Sequence, residues 1–258
     1  MYKLITHLYY GDPIEEFSLK LAETLLDSGA DILEVGISYT DPVCDGEVFQ
    51  RACKRTIENG ITPLRVLNGI SRIRGKGYNN PIYLTSYYAP IYKIGLEKFV
   101  SLAKSVGVTG LIIPDLLLEE QQSLRKLTDK YGLPLIQFAT VYSTKERLRQ
   151  IIKASTGLPA GKAGFIYCVS LPGVTGDRTS FSKLLKSLKL IKSLTDKKIY
   201  VGFGIKSPQD VKKILENGAD GVIVGSAIAR LYEKSVKYPE RSLAQISVFI
   251  KRLKESTI

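Results

Sequence analysis

Glu34 and Asp45 are the two side chains whose types and surroundings best fit acid–base chemistry. Glu34 interrupts the apolar run Ile32-Leu33-Glu34-Val35, which reads as a buried strand and spills at Gly36 into a loop. That loop carries Asp41-Pro42 and Asp45-Gly46, both turn-forming pairs, so Asp45 rides a polar segment while Glu34 is walled by aliphatic side chains. Unlike surroundings give two carboxylates different proton affinities and therefore different tasks. A desolvated, unpaired Glu is pushed toward the range useful for proton transfer. The residues alone also allow plainer roles: an ion pair between Glu34 and a lysine at a neighbouring strand end, and an ordinary turn at Asp45.

A second set of residues suggests an anion. Glycines recur at three successive junctions, Gly173-Val174-Thr175-Gly176, Gly202-Phe203-Gly204-Ile205 and Gly225-Ser226-Ala227. Bare backbone N–H groups at such turns, with a helix opening at Ser226, favour phosphate. Thr175 and Lys206 add a hydroxyl and a positive charge. One Gly-x-Gly would be a weak signal, because glycines also serve tight turns; three in series carry the reading.

The elements that must position these residues follow from periodicity. Apolar, β-prone runs at 4–10, 32–35, 82–85, 110–113, 135–138, 164–169, 199–201 and 221–224 predict eight strands. Helical spacing at 15–26, 48–58, 63–74, 96–106, 119–131, 145–154, 181–194, 208–217, 226–232 and 243–253 fills the intervals, with short extra helices after strands two and eight. Strands buried on both faces and alternating with helices mean parallel pairing under helical cover. The first strand-to-helix turn, Tyr10-Gly11-Asp12-Pro13, is not the Gly-x-Gly-x-x-Gly of an open dinucleotide-binding sheet. The expectation is an α/β chain folded as one closed (β/α)8 barrel domain over residues 1–258, a common arrangement at about 250 residues. In such a barrel function collects at the C-terminal strand ends, which places Glu34, Asp45, Tyr87, Tyr88, Asp115 and Tyr167 around one mouth.

Composition narrows the classes. With a formal net charge of +12, nucleic acid is a candidate partner. However, Lys183, Lys186, Lys189 and Lys192 fall opposite Leu184, Leu188 and Ile191, the pattern of a solvated face on a packed helix. The surplus charge suits a small anionic substrate better. No apolar run reaches the length of a membrane span, and the start lacks signal-peptide zones, so a soluble, cytoplasmic protein is expected, with no membrane partner. Cys44, Cys53 and Cys168 lack metal or redox spacing. The single histidine, His7, leaves multi-histidine metal sites and a Ser-His-Asp triad poorly supported and reads first as a hydrogen-bonded core or rim residue. No metal is expected.

Taken in order, Gly11-Asp12-Pro13, Leu33-Glu34-Val35-Gly36, Asp41-Pro42, Asp45-Gly46, Gly110 to Asp115, Tyr167 to Gly176, Gly202-Phe203-Gly204 and Val224 to Ile228 resemble the tryptophan synthase α-subunit family across nearly the whole chain. The resemblance implies a barrel that splits indole-3-glycerol phosphate into indole and glyceraldehyde 3-phosphate by a retro-aldol step. It implies no cofactor in this chain, and an αββα complex with a β subunit that carries pyridoxal phosphate and receives the indole. Glu34 then matches the family's proton-shuttling glutamate, and Asp45 the aspartate that accepts from the indole N–H. Tyr167, Ile112 and Phe203 match the walls of the indole pocket; Gly176, Gly204, Gly225 and Ser226 match the phosphate cradle. The loops 39–46 and 171–179 resemble two mobile loops that close over substrate and face the β partner.

The sequence also departs from that family. It begins almost at strand one, so the short preceding helix of the family is expected to be missing. His7-Leu8-Tyr9 replaces a Phe-x-Thr pattern and puts a histidine where an apolar ring normally faces the indole. Tyr88-Ala89-Pro90 and Asp45-Gly46-Glu47 alter segments that meet the β subunit, Leu171 replaces a frequent arginine, and Leu117 a frequent proline. Alternative readings are a catalytically idle activator of a β subunit, or another phosphate-binding barrel enzyme of the histidine and tryptophan pathways.

Overall fold

The computed structural model describes residues 2–155, 164–169, 178–202 and 204–258. Eight parallel strands form one sheet: β1 (Lys3–Tyr9), β2 (Ile32–Gly36), β3 (Ile82–Thr85), β4 (Gly110–Ile112), β5 (Gln137–Thr140), β6 (Ile166–Val169), β7 (Ile199–Gly202) and β8 (Gly221–Val224). The order β4-β3-β2-β1-β8-β7-β6-β5 curls until its ends meet. There a single bridge pairs Leu111 with Leu135, Leu111 N–H donating to Pro134 O at 2.8 Å and Ile136 N–H to Leu111 O at 2.9 Å. The expected (β/α)8 barrel is therefore present.

Helices fill the intervals: α1 (Glu15–Asp27), α2 (Glu47–Glu58), α3 (Pro63–Gly75), α4 (Tyr88–Ile94), α5 (Leu96–Ser105), α6 (Gln122–Tyr131), α7 (Lys145–Ala154), α8 (Arg178–Leu194), α9 (Pro208–Glu216), α10 (Ser226–Glu233) and α11 (Leu243–Glu255). Their starts follow local chemistry. Thr62 caps α3 ahead of Pro63, Thr144 caps α7, and Ser207 and Asp210 form a reciprocal capping box on α9. Extra helices follow β2 and β8 as expected, and α4 adds one after β3 that periodicity does not indicate. On α8, Leu184, Leu188 and Ile191 are buried, as the lysine spacing predicts.

Inside the barrel, every strand line contributes one residue to an apolar floor: Ile5, Ile32, Tyr83, Ile112, Ile136, Phe165, Tyr200 and Ile223. Side chains alternate along a strand, so the inward positions two residues further on are His7, Glu34, Thr85, Pro114, Phe138, Tyr167, Gly202 and Gly225. Polar residues concentrate on this upper tier, above the apolar floor and beneath the C-terminal loops.

Candidate active site

Glu34 projects from β2 into the barrel with 3% of its surface exposed. The register pairs it with His7 on β1, and the β3 neighbour Thr85 closes from the other side. Both partners use the same carboxylate oxygen: His7 Nδ1 lies 2.8 Å from Oε1, and Thr85 Oγ1 donates to Oε1 at 2.6 Å. Oε2 is buried without a protein partner, as is His7 Nε2. A lysine partner, the plainer reading of Glu34, is thus replaced by an imidazole and a hydroxyl. Burial opposes a charge on His7, but the charge and hydrogen bond of Glu34, helped by Asp45, raise its proton affinity above the ordinary histidine value.

Asp45 hangs over this tier from the loop between β2 and α2. Its Oδ2 accepts from the Tyr9 hydroxyl of β1 and the Tyr87 hydroxyl after β3, both at 2.7 Å. The loop is tied further by Cys44 N–H to Tyr87 Oη at 2.9 Å and by Gln50 Nε2 to Asp45 O at 2.8 Å. Burial raises the Asp45 pKa; the two phenols and His7 pull against that rise, and Glu34 adds to it. The turn reading of Asp45-Gly46 is therefore incomplete, because its carboxylate is turned inward onto two tyrosines.

Close packing makes this placement achievable. A Cβ on Gly36 would lie 2.7 Å from Cδ1 of Tyr9, so the bare backbone of β2 is what admits the ring that reaches Asp45. Phe49 of α2 packs edge-on against His7 and Tyr9, with ring centroids 4.8 and 5.3 Å apart. At the opening of α10, a Cβ on Gly225 would meet Phe49 Cζ at 2.6 Å.

Of the expected pocket walls, Tyr167 stands in the polar tier, stacked on Phe138 at 5.1 Å. Burial, then the charges of Glu34 and Asp45, raise its phenol well above the usual range. Ile112 lies lower, in the floor. Gly204, with φ +49°, follows β7, while Gly225 and Ser226 open α10 after β8; all three are partly exposed at the mouth. Gly176 and Phe203 lie outside the described residues, as do Thr175, Leu171 and most of the 171–179 loop. Asp115 serves a local purpose, its carboxylate accepting from Tyr88 N–H at 2.9 Å at the start of α4.

Three contributors escape sequence reasoning: His7 as the partner of Glu34, and Tyr9 and Tyr87 as the clamp on Asp45. Only strand register brings His7 beside Glu34. The signal available is the pair of polar aromatic residues, His7 and Tyr9, at alternate positions of the first strand. Among the described residues no cluster of three or more His, Cys, Asp or Glu is arranged to hold a metal ion.

A buried acid with one open oxygen, a second acid clamped above it, and a helix opening across the mouth form an arrangement able to move a proton, steady a developing positive charge and hold an anion. A family model described as tryptophan synthase alpha chain matches residues 2–258. The chain belongs to the tryptophan synthase alpha chain family. The tryptophan synthase alpha chain of Arabidopsis thaliana is 38% identical over 256 residues, spanning 99% of this chain and 90% of the relative. Among solved structures, the tryptophan synthase A-subunit of Pyrococcus furiosus superposes with a TM-score of 0.86 at 30% identity, covering 98% of this chain and 99% of the other. A structure of the tryptophan synthase α2β2 complex from the same organism matches with a TM-score of 0.86 at 29% identity, covering 98% of this chain and 99% of the other.

Proposed function

We propose that the chain cleaves indole-3-glycerol phosphate to indole and glyceraldehyde 3-phosphate, with Glu34 as the proton shuttle and Asp45 as the charge stabiliser. The observation that carries this reading is the pairing of a buried Glu34 whose Oε2 is open with an Asp45 held by two phenols over the same tier.

The steps balance on these two side chains. Protonated Glu34 gives its proton to C3 of the indole, and the positive charge that develops at the ring nitrogen is stabilised by Asp45 accepting from N1–H. The Glu34 carboxylate then takes the proton of the hydroxyl on the carbon attached to C3. That carbon becomes the aldehyde, and the electrons of the breaking carbon–carbon bond return to the ring and neutralise it. Glu34 ends protonated, ready for another turn. No cofactor enters these steps, and we assign none to this chain. Tyr167, with Ile112 beneath it, and Phe203 serve as the indole walls. Gly176, Gly204, Gly225 and Ser226 serve as the phosphate cradle, for which the opening of α10 supplies free N–H groups.

The partner in this reading is a tryptophan synthase β subunit carrying pyridoxal phosphate, in an αββα assembly. Exposed apolar side chains that follow the C-terminal strand ends, Val43 on the loop after β2, Tyr92 on α4 and Leu117 after β4, fit a surface covered by another protein. We place the protein in the cytoplasm and treat residues 1–258 as one domain; among the described residues no helix is long and apolar enough to cross a membrane.

The test is release of glyceraldehyde 3-phosphate from indole-3-glycerol phosphate, measured with and without a β subunit. Glu34→Gln is expected to lose at least about a hundredfold in kcat; full activity in that variant rejects the mechanism.

A further inference from the structure

We propose that His7 is a positioning residue for Glu34: by donating from Nδ1 to Oε1 it fixes Oε2 as the oxygen that exchanges protons with the substrate. The inference rests on the lyase reading for its catalytic consequence, but its geometry stands independently.

A carboxylate oxygen, or the carbonyl oxygen of a carboxyl group whose proton sits on the other oxygen, only accepts hydrogen bonds, so the 2.8 Å contact to Oε1 places a hydrogen on Nδ1 of His7. Thr85 donates to the same oxygen at 2.6 Å. Two donors on Oε1 leave that atom the poorer proton acceptor. Oε2, buried and with no protein donor, is left to carry the mobile proton. A glutamate whose carboxyl group can rotate presents either oxygen; here the rotation is stopped from two sides by β1 and β3.

The imidazole is itself held. Its ring packs edge-on against Tyr9 at 5.2 Å and Phe49 at 4.8 Å, and its Cβ lies against Gly225. His7 is only 7% exposed. Apart from Glu34, the contacts that pack the ring are aromatic faces and a bare glycine, which by themselves do not call for a histidine. The groups facing it are Glu34 from β2, Asp45 from the following loop, and Tyr9 from its own strand, while α2 presents Phe49 and the β8–α10 junction presents Gly225. Each charged neighbour is an acid, and each favours a proton on the imidazole.

In the reaction the loaded state carries hydrogens on His7 Nδ1 and Glu34 Oε2. When Oε2 gives its proton to the indole carbon, the Nδ1–H remains on Oε1 and becomes a charge-assisted hydrogen bond to the new carboxylate. When Oε2 takes the hydroxyl proton, the starting arrangement returns. His7 neither gains nor loses a proton over the cycle.

The experiment uses the only histidine in the chain as its own probe. Nitrogen-detected NMR of the full-length protein reports both the tautomer and the titration of a single imidazole. The expected result is the Nδ1–H tautomer in the neutral form, with a midpoint above the ordinary 6.5 that falls in Glu34→Gln. In the cleavage assay, His7→Phe should lower kcat about tenfold or more with KM nearly unchanged, the scale of a misplaced catalytic group. His7→Asn, which keeps an N–H near the Nδ1 position, should recover most of that loss. An Nε2–H tautomer, a midpoint indifferent to Glu34→Gln, or full kcat in His7→Phe overturns the proposal, as does failure of His7→Asn to outperform His7→Phe when both melt alike. Glu34-dependent cleavage with an indifferent His7 rejects this inference alone. Absence of cleavage in the wild type, with His7 still responding to Glu34→Gln, rejects the lyase reading and leaves the fixed oxygen standing.

Discussion

Tyr9 donates its hydroxyl to Oδ2 of Asp45 at 2.7 Å, fastening the end of the first strand to the loop that follows the second. Tyr87 donates to the same oxygen at the same distance, which leaves Oδ1 without a donor among the described residues. Removing either phenol takes away an interaction that holds the Asp45 pKa down against burial. Tyr9→Phe and Tyr87→Phe are therefore expected to move the acid limb of the kcat/KM profile to higher pH and to lower activity several-fold. The pH–rate profile of each variant, compared with wild type, is the measurement.

The same carboxylate costs stability. Its folded pKa is raised above the 3.8 of a free aspartate, so the folded chain binds a proton more tightly than the unfolded chain. The contribution of this group to stability falls as pH rises from about 3.8 through the folded value and is flat above it. Asp45→Asn should thus melt higher than wild type at neutral pH while losing cleavage activity, as paired calorimetry and turnover assays would reveal.

Gly36→Ala tests the approach of Tyr9. The added methyl would stand 2.7 Å from the ring, so Tyr9 must move and release Asp45. The expected outcome is a folded protein with circular dichroism like wild type, destabilised by about 1–3 kcal/mol and with reduced kcat. Combining it with Tyr9→Phe should add little further loss of activity, because both changes remove the same hydrogen bond.

Arg55 guards a different acid. Asp12 is fully buried and accepts from Arg55 Nε at 2.6 Å, Arg55 Nη2 at 2.9 Å and Tyr232 Oη at 2.7 Å, tying the turn after β1 to α2 and α10. Arg55→Met would strand that carboxylate and is expected to cost about 3–5 kcal/mol. Thermal unfolding should fall by roughly 10 °C for a chain of this size.

Much of this is legible in the amino-acid sequence. Parallel strands buried on both faces have to be apolar runs, and Ile32 to Val35, Ile82 to Thr85 and Gly221 to Val224 show it plainly. The fifth strand was harder. Leu135 and Ile136 look like its start, yet Leu135 makes only the closing bridge and the regular ladder with β6 begins at Gln137. Helix α4 escaped because Pro90 reads as a breaker, although in the first turn its missing N–H is no loss. Glu34 was visible as a lone charge in an apolar run. His7 was visible only as an oddity, since nothing local in the sequence states that β1 and β2 align these two residues. The clamp on Asp45 is hidden for the same reason: Tyr9 and Tyr87 belong to different strand ends, and their meeting point is set by β1 and β3 flanking β2 in the curled, closed sheet.

That closure has a mechanical consequence. β1 pairs with β8 along four register positions, whereas β4 and β5 meet through one bridge, so the barrel is a curled ribbon with one thin seam. Glu34, His7 and the clamp on Asp45 belong to the half from β1 to β4; Gly204 and the opening of α10 belong to the half from β5 to β8. A ligand whose ring nitrogen is held by Asp45 on one half and whose anionic end is held on the other acts as a strut across the open end of the ribbon. Amide hydrogens at Leu111 and Ile136 are then where substrate would slow exchange most, although neither residue needs to touch it.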